Sequence, residues 1–251
     1  MTPLDMLCPT PFHEADAGAR ARVLSRLADT ELFAALTQEP ADDRADLQIY
    51  ELPTGAAALA CDLPERLAEF VGGPVAYVAL PGRVLAAALA AEGRGLLVNP
   101  GAPSQLLLDA EALAWLVQAL QARPNLAPEG APRASFPPQP GLVSDLVEPL
   151  SQRLADVAGV VRRAALFQAE WSAGVRRHVL LLQGVAEARR DQVAKAFAEL
   201  LAFLPEQARG VDIAFSEITP PAHAVLLEPP ELAPEPVQPQ RDSGAPPRLR
   251  W

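Results

Sequence analysis

The chain has 251 residues, half of them apolar, with 27 prolines and a formal net charge of -10 at pH 7. This length allows two modest domains, and the apolar content excludes a chain that is disordered throughout. The acidic balance argues against a nucleic-acid surface, because such a surface needs a net cluster of lysine and arginine to neutralise phosphates.

Cysteine content and the N-terminal sequence bear on the compartment. Cys8 and Cys61 are the only cysteines, which is too few for a disulfide-stapled scaffold and fits a reducing cytosol. The first residues lack the basic and apolar regions of a signal peptide. No apolar run reaches the roughly 18 residues that a membrane helix needs. The sequence therefore predicts a cytoplasmic protein without a membrane-spanning segment.

Prolines divide the chain. They are concentrated in residues 123–141 and again after residue 228, where they remove backbone donors and hold the preceding residues extended. Two compact segments remain. The predicted organisation is an N-terminal arm (1–17), a first domain (18–122), a Pro-rich linker (123–141), a second domain (142–227) and a disordered tail (228–251).

The first domain begins with elements of mixed clarity. The apolar run 32–36 fits a helix or a strand. Residues 47–52 and 56–60 flank a Pro-Thr-Gly turn and predict a hairpin. Asp62 and Glu65 have the spacing of a capping box for the helix that follows.

Strand and helix patterns then alternate. Residues 75–80 read VAYVAL, which is apolar on both faces as in a central strand covered by helices. Residues 95–98 predict a second buried strand, and Asp109 is placed to cap an amphipathic helix. This alternation indicates a layered sheet with helices packed against it.

The second domain has its own order of elements. The patterns predict a helix near 147–157, two strands at 160–170 and 175–183, a helix with an apolar stripe from Val193 to Leu204, and strands at 211–215 and 222–227. This order is typical of one sheet covered by one helical layer. The whole chain is predicted to be α+β (mixed α/β), with two small sheet-plus-helix domains.

Segments of both domains resemble the SseB family. The amino-terminal domain of that family resembles GGPVAYVALPGR (72–83), GLLVNPG (95–101) and DAEALAWLVQAL (109–120). The carboxy-terminal domain often paired with it is similar to VAGVVRRAALFQAEW (157–171), HVLLLQG (178–184) and VDIAF (211–215). The resemblance implies that 32–36 is the first strand, and it implies a bacterial, cytosolic setting. The family is named after enhanced serine sensitivity, and the resemblance implies no catalytic residues and no defined activity.

Residues for catalysis or metal binding are not grouped in the sequence. His13, His178 and His223 have no further ligand at a spacing that a metal site requires. There is no GxSxG motif, and neither Ser104 nor Cys61 has a neighbouring base. We therefore predict no catalytic residue, no metal and no cofactor, with Cys61 as a buried apolar side chain rather than a helix-activated thiolate.

Two loops are candidates for binding a small anion. One contains Arg83, which opens a helix directly after a strand, and the other spans residues 99–104 after the neighbouring strand. Both are expected at one edge of the sheet, where backbone amides and Arg83 would hold an anion. The alternative is a pair of ordinary turns with Arg83 in solvent. The candidate ligand-binding residues are Arg83, Asn99, Gly101 and Ser104.

Two aromatic residues are candidates for a protein contact. Trp115 lies off the apolar stripe of its helix, and Tyr77 lies in the VAYVAL strand. Trp and Tyr are enriched in interface cores. Packing of Trp115 against the linker is the alternative.

Four arginines of the second domain form a candidate basic surface. Arg162 and Arg163 lie on one predicted strand, and Arg176 and Arg177 on the next. Cross-strand pairing would bring two or more of them together, for an acidic partner. The alternative is a solvated edge whose charge is neutralised by Glu170, by Glu187 or by the acidic tail.

We therefore predict a non-enzymatic interaction or regulatory protein, with another protein as its partner and with no nucleic acid or membrane. The alternative is a sensor or enzyme for a small anionic, amino-acid-like metabolite that uses the Arg83 and Asn99 loops. The sequence leaves the oligomeric state open.

Overall fold

A computed structural model describes residues 1–39, 45–172 and 174–229. It contains two sheets with helices packed against them, so the predicted α+β class is confirmed. Most of the predicted disordered tail, from residue 230 onward, lies outside the described residues. Within the described ranges, no helix is both long and apolar enough to cross a membrane.

The first sheet is built from the N-terminal half of the chain. Its strands are β1 (Glu31–Ala35), β2 (Ile49–Leu52), β3 (Gly55–Cys61), β4 (Tyr77–Pro81), β5 (Gly95–Val98) and β6 (Leu106–Leu108). They lie in the order β4-β1-β3-β5-β6, and β2 pairs with β3 in the predicted hairpin. The run 32–36 is thus a strand, as the family resemblance implies.

Helices cover the two faces of this sheet unequally. They are α1 (Pro3–Met6), α2 (Ala17–Asp29), α3 (Pro64–Val71), α4 (Gly82–Ala91) and α5 (Ala110–Leu120). Apolar residues of α2, α4 and α5 form the core on one face, whereas the other face is covered mainly by the single short helix α3. Asp109 caps α5 as predicted, since its side chain accepts a hydrogen bond from the Ala112 amide at 2.8 Å.

The predicted capping box at Asp62 is wrong. The residue that precedes α3 is Leu63, and it makes no side-chain cap. The Asp62 carboxylate instead accepts hydrogen bonds from Thr2 and Arg66. A tertiary contact with the N-terminal arm has therefore replaced the predicted hydrogen bond to the start of α3.

The prediction that VAYVAL is a central strand is also wrong. The strand β4 lies at the edge of the sheet and pairs only with β1. Tyr77 is 46% exposed, and Ala79 and Pro81 are exposed as well. An apolar composition indicates that the two faces of a strand are shielded from water, but it carries no information about whether both edges are paired.

The second sheet is built from the C-terminal half. Its strands are β7 (Ala134–Phe136), β8 (Arg163–Ser172), β9 (Val175–Gln183), β10 (Val211–Phe215) and β11 (Val225–Leu227). The order is β10-β9-β8-β11, with β7 also paired to β8. The helices are α6 (Pro140–Asp156), α7 (Arg190–Phe203) and α8 (Glu206–Arg209), and a 3₁₀ turn spans Glu187–Arg189.

The segment predicted to be a linker adds to this second sheet. Strand β7 lies within residues 123–141 and pairs with β8, and Leu126 forms a bridge with Ile213 of β10. The predicted domain boundaries themselves stay a prediction.

The helical layers of the two halves pack against each other. Helix α2 contacts α6 and α7, and α5 contacts α7. Buried side chains from both halves, including Leu27, Leu116, Leu150 and Phe197, belong to one continuous apolar cluster. Five helices therefore lie between two outer sheets, and the polar residues between those helices join one half of the protein to the other.

Candidate functional site

The two loops predicted to bind an anion follow the carboxyl ends of two strands that point the same way in the first sheet, but the loops do not meet. Strands β4 and β5 run in the same direction, because β4 and β3 are both antiparallel to β1, and β5 is parallel to β3. Three strand spacings separate them, which is about 14 Å. Among the described residues, Arg83 and Asn99 share no hydrogen-bond partner.

Asn99 is a structural residue of its loop. It is fully buried, and its backbone has a φ of 46°, in the left-handed region that Asn tolerates better than most residues. Its Oδ1 accepts a hydrogen bond from the Asp62 amide at 2.9 Å, and its Nδ2 donates to Ser104 Oγ at 2.9 Å. Both ends of the amide are thus used within the protein.

The N-terminal arm fills the position beside Ser104. Asp5 is 5% exposed, and its carboxylate accepts hydrogen bonds from Ser104 Oγ at 2.6 Å and from Arg66. Arg66 also donates to Asp62 at 2.9 Å. A carboxylate of the chain itself therefore occupies the place that the sequence suggested for an anionic ligand. The Gly101 amide takes no part, since it donates to the side chain of Gln105 at 2.7 Å.

This arrangement sets the ionisation of the buried groups. Burial alone would raise the pKa of Asp5, but hydrogen bonds from Arg66, from Ser104 and from the Thr2 amide hold it well below the usual range. Burial raises the pKa of the neighbouring Cys61 thiol to about 11. Cys61 therefore stays protonated near neutral pH, as expected of a buried apolar side chain.

Arg83 lies in a charged cleft between the two halves. The cleft has a volume of about 570 Å³. The Arg83 guanidinium donates to Glu199 at 3.3 and 3.2 Å and also to Asp29. Glu199 is 3% exposed and pairs in addition with Lys195 at 3.3 Å. Arg83 is therefore held by carboxylates from both halves, and the alternative of a side chain free in solvent does not describe it.

Sequence reasoning missed a buried arginine in this cleft. Arg153 is 7% exposed and donates to Asp29 at 3.2 Å and to Ser25. A signal was present, because Arg153 falls beside the apolar stripe of α6 that contains Leu150 and Leu154. A charge beside an apolar stripe is rarely buried without a partner.

The two candidate aromatic residues lie on opposite sides of the first sheet. Trp115 of α5 packs on Phe203 of α7, with ring centroids 5.8 Å apart. Tyr77 packs edge-on against Phe33 at 5.3 Å, on the face covered by α3. Trp115 thus lies where the two halves meet, and only Tyr77 belongs to an outer strand.

Replacing Trp115 with alanine is expected to lower the free energy of unfolding by roughly 2 kcal/mol, about half the value for a fully buried tryptophan, because the side chain is 40% exposed. A double-mutant cycle with Phe203→Ala, measured by urea denaturation, should give a coupling energy of about 1 kcal/mol. Additive losses would mean that this contact does not help to join the halves.

The four candidate arginines do not form one cluster. The register of β8 and β9 places Arg176 opposite Glu170 and Arg163 opposite Gln183. Seven residues along β8, or about 23 Å, separate these positions. The expectation that pairing brings the cations together is therefore wrong, because the hairpin register sets them at opposite ends. Each has a carboxylate neighbour: Arg162 with Glu217, Arg163 with Glu228, Arg176 with Glu170, and Arg177 with Asp212.

The outer edge of β4 is unpaired in the described part of the chain. The Leu36 amide donates to the Ala76 carbonyl at 2.9 Å, and the Gly82 amide donates to the Thr30 carbonyl at 2.8 Å. Alternate residues of an antiparallel strand point their backbone groups to alternate sides. The amides and carbonyls of Tyr77 and Ala79 therefore point away from β1.

Comparison with known proteins identifies the first half of the chain only. Residues 12–115 match the family model described as SseB protein N-terminal domain. No curated protein and no solved structure matches the chain. The matched range contains Arg83, Asn99, Ser104, Tyr77 and the first half of α5, as far as Trp115. The resemblance of the second half to the carboxy-terminal domain of that family stays a prediction.

Proposed function

We propose that the chain is a cytoplasmic, non-enzymatic interaction protein, and that another protein adds an extended segment to the free edge of β4. This strand lies within the SseB protein N-terminal domain of residues 12–115. The single observation that supports this most is the unpaired outer edge of β4, a strand without charged residues. An open strand edge offers a row of backbone donors and acceptors with which another extended backbone can pair.

The edge of β4 lacks most of the protection that exposed strand edges usually have. Proteins guard such edges with charged side chains, proline, bulges or very short strands. Strand β4 has no charged residue, and its one proline is Pro81 at the C-terminal end, so the outward amides of Tyr77 and Ala79 remain unprotected. Other edges of the same protein are guarded, since β6 has three residues and residues 125–127 hydrogen-bond to β10 at Ile213.

The side chains beside the edge favour an apolar partner strand. Tyr77 is half-exposed and rests on Phe33, so a large ring stands next to the small exposed Ala79. A partner strand that places an apolar side chain over Ala79 and a small one beside Tyr77 would fill this surface. The backbone bonds contribute only about 1 kcal/mol each, so side-chain contact must supply most of the affinity, which we expect to be about micromolar.

Selection of random twelve-residue peptides on the immobilised full-length protein tests this proposal. We expect the recovered peptides to alternate apolar and polar residues and to be rich in Val, Ile, Thr and Tyr. The Ala79→Pro variant should weaken their binding about tenfold or more, because proline removes the outward donor of the edge. The matched control Ala79→Val keeps the backbone groups and should bind as the wild type does.

Two results would contradict the proposal. One is that the recovered peptides bind equally to the wild type and to a folded Ala79→Pro protein. The other is that light scattering shows a dimer that Ala79→Pro dissociates while no peptide binds, because a second copy would then occupy the edge. If Ala79→Pro fails to fold, Tyr77→Ala replaces it in the test. Unchanged binding of the peptides to Tyr77→Ala would then contradict the proposal.

A second candidate function is the binding of a small anionic metabolite. The Asn99 loop gives it no support, since Asp5 fills that position. What supports it is the place of Arg83 in the charged cleft.

A further inference from the structure

The cleft between the two halves has an excess of positive charge. Five cations and three carboxylates line it, which leaves a balance of +2 in a protein whose net charge is -10. The cations are Arg26, Arg83, Arg153, Arg189 and Lys195. A concentration of positive charge against the overall sign of the protein raises the local concentration of anions.

The carboxylates of the cleft are already shared between cations. Glu199 pairs with Arg83 and Lys195, and Asp29 pairs with Arg83 and Arg153. The third carboxylate, Asp156, pairs with Arg26 and Arg153. No carboxylate in the described ranges lies within 4.0 Å of Arg189. The excess charge therefore resides largely on an exposed arginine at the mouth of the cleft.

A second incompletely satisfied arginine lies next to the cleft. A smaller cavity of about 250 Å³ adjoins it and shares Arg26, Arg153 and Asp156 with it. Arg22 lines this cavity, and its Nε is buried without a hydrogen-bond partner in the described part of the chain. A buried N–H without a partner is unfavourable unless a water or ligand accepts from it.

The cleft is also suited to a small molecule in size and rigidity. A volume of about 570 Å³ lies within the usual range for ligand sites, roughly 300 to 1,000 Å³. Arg153 and Glu199 are buried, and their contacts fix the charged side chains that pair with them, whereas Arg189 stays unpaired among the described residues. Groups that are held in place before binding lose little conformational entropy on binding.

We propose that this cleft binds a small molecule that carries two negative charges on oxygen atoms. The charge balance calls for two negative charges, and arginine guanidinium groups bind planar or tetrahedral oxyanions through paired hydrogen bonds. Because α2 and α4 of one half and α6 and α7 of the other line the site, the bound anion holds the halves together. Anion binding in the cleft does not depend on the proposed partner strand at β4, so each proposal can fail without the other.

Calorimetric titration of the full-length protein with inorganic phosphate and, separately, with succinate tests the proposal. We expect at least one of them to bind with a dissociation constant below about 1 mM, while singly charged acetate binds much more weakly. Tighter binding of phosphate would indicate a phosphorylated ligand, and tighter binding of succinate a dicarboxylate. Raising the salt concentration should weaken the binding.

Two neighbouring arginines provide the matched variants. Arg189→Gln removes the unpaired cation of the cleft and should weaken anion binding about tenfold or more, without loss of the fold. Arg190→Gln removes the same charge one residue further on, where the side chain lies near the Phe215 ring and outside the cleft, and should bind as the wild type does. Binding of neither anion at 10 mM, or equal binding by wild type and Arg189→Gln, would overturn the proposal.

Discussion

Replacing Asp5 with asparagine will lower the free energy of unfolding by about 3 kcal/mol, since it breaks a buried ion pair from one side. The change keeps the shape of the side chain but removes the negative charge that Arg66 and Ser104 bind. Arg66 is then left with Asp62 as its carboxylate partner. Urea denaturation at pH 7 measures the loss.

Asp145 provides the control for this variant. It is exposed on α6, and Asp145→Asn removes the same charge, so the change in the free energy of unfolding should stay within about 0.5 kcal/mol. Equal losses for the two variants would show that the arm contributes no specific stability.

The pH dependence of the difference between wild type and Asp5→Asn follows from the lowered pKa. In the unfolded chain the pKa of the Asp5 carboxyl lies near the ordinary aspartate value of 3.8, and in the folded protein its pKa lies well below that. A group with a depressed folded pKa stabilises the protein above the unfolded pKa and loses this effect as the pH falls toward the folded pKa. The difference between the two proteins should therefore be constant from pH 8 to 5 and shrink below pH 4. A difference that changes between pH 8 and 6 would contradict this assignment.

Replacing Gly82 with alanine is the second change from which we expect a large loss, about 3 kcal/mol or more from overpacking. A Cβ at this position would lie 2.0 Å from the carbonyl oxygen of Leu27 and 3.0 Å from its carbonyl carbon. The Gly82 amide also donates to Thr30 at 2.8 Å. Either α4 or the end of α2 has to move, and both carry residues of the charged cleft.

Gly73→Ala is the matched control, because nothing lies within 4 Å of the Cβ that it adds. We expect Gly73→Ala to change the free energy of unfolding by less than about 0.5 kcal/mol. Thermal denaturation of both variants provides the comparison. If Gly82→Ala is as stable as Gly73→Ala, then α4 does not approach α2 as closely as the structure has it.

Elements that depend on local patterns could be predicted from the sequence. The β2–β3 hairpin follows from apolar stretches around a Pro-Thr-Gly turn, and the start of α5 follows from Asp109 before a helical stripe. Strands β8 to β11 and helices α6 and α7 of the second half also follow from apolar patterns that are complete within a few residues of chain. Strand β7 does not, because it lies in the segment predicted to be a linker.

The place of a strand within the sheet could not be predicted in this way. Residues 75–80 have the composition of a central strand, yet strand order depends on which distant segment pairs with each edge. Here β1 pairs with one edge of β4, and the other edge stays free in the described part of the protein.

The candidate anion site could be predicted only in part, because it too depends on residues that are distant in the sequence. The Arg83 and Asn99 loops do leave the sheet at one edge, as the order of strand and helix requires. Asp5, which fills the site beside Ser104, is 99 residues away in sequence, and Glu199, which holds Arg83, is 116 residues away. No local pattern links residues at such separations.

Amide hydrogen exchange of residues 77–80, measured by NMR, tests the proposed function most directly. In the free protein we predict fast exchange at Tyr77 and Ala79 and slow exchange at Val78 and Leu80, whose amides face β1. A peptide selected on the protein should slow exchange at Tyr77 and Ala79 and leave the other two unchanged. Slow exchange at Tyr77 and Ala79 without peptide, or no change when the peptide binds, would contradict the proposal that β4 receives a partner strand.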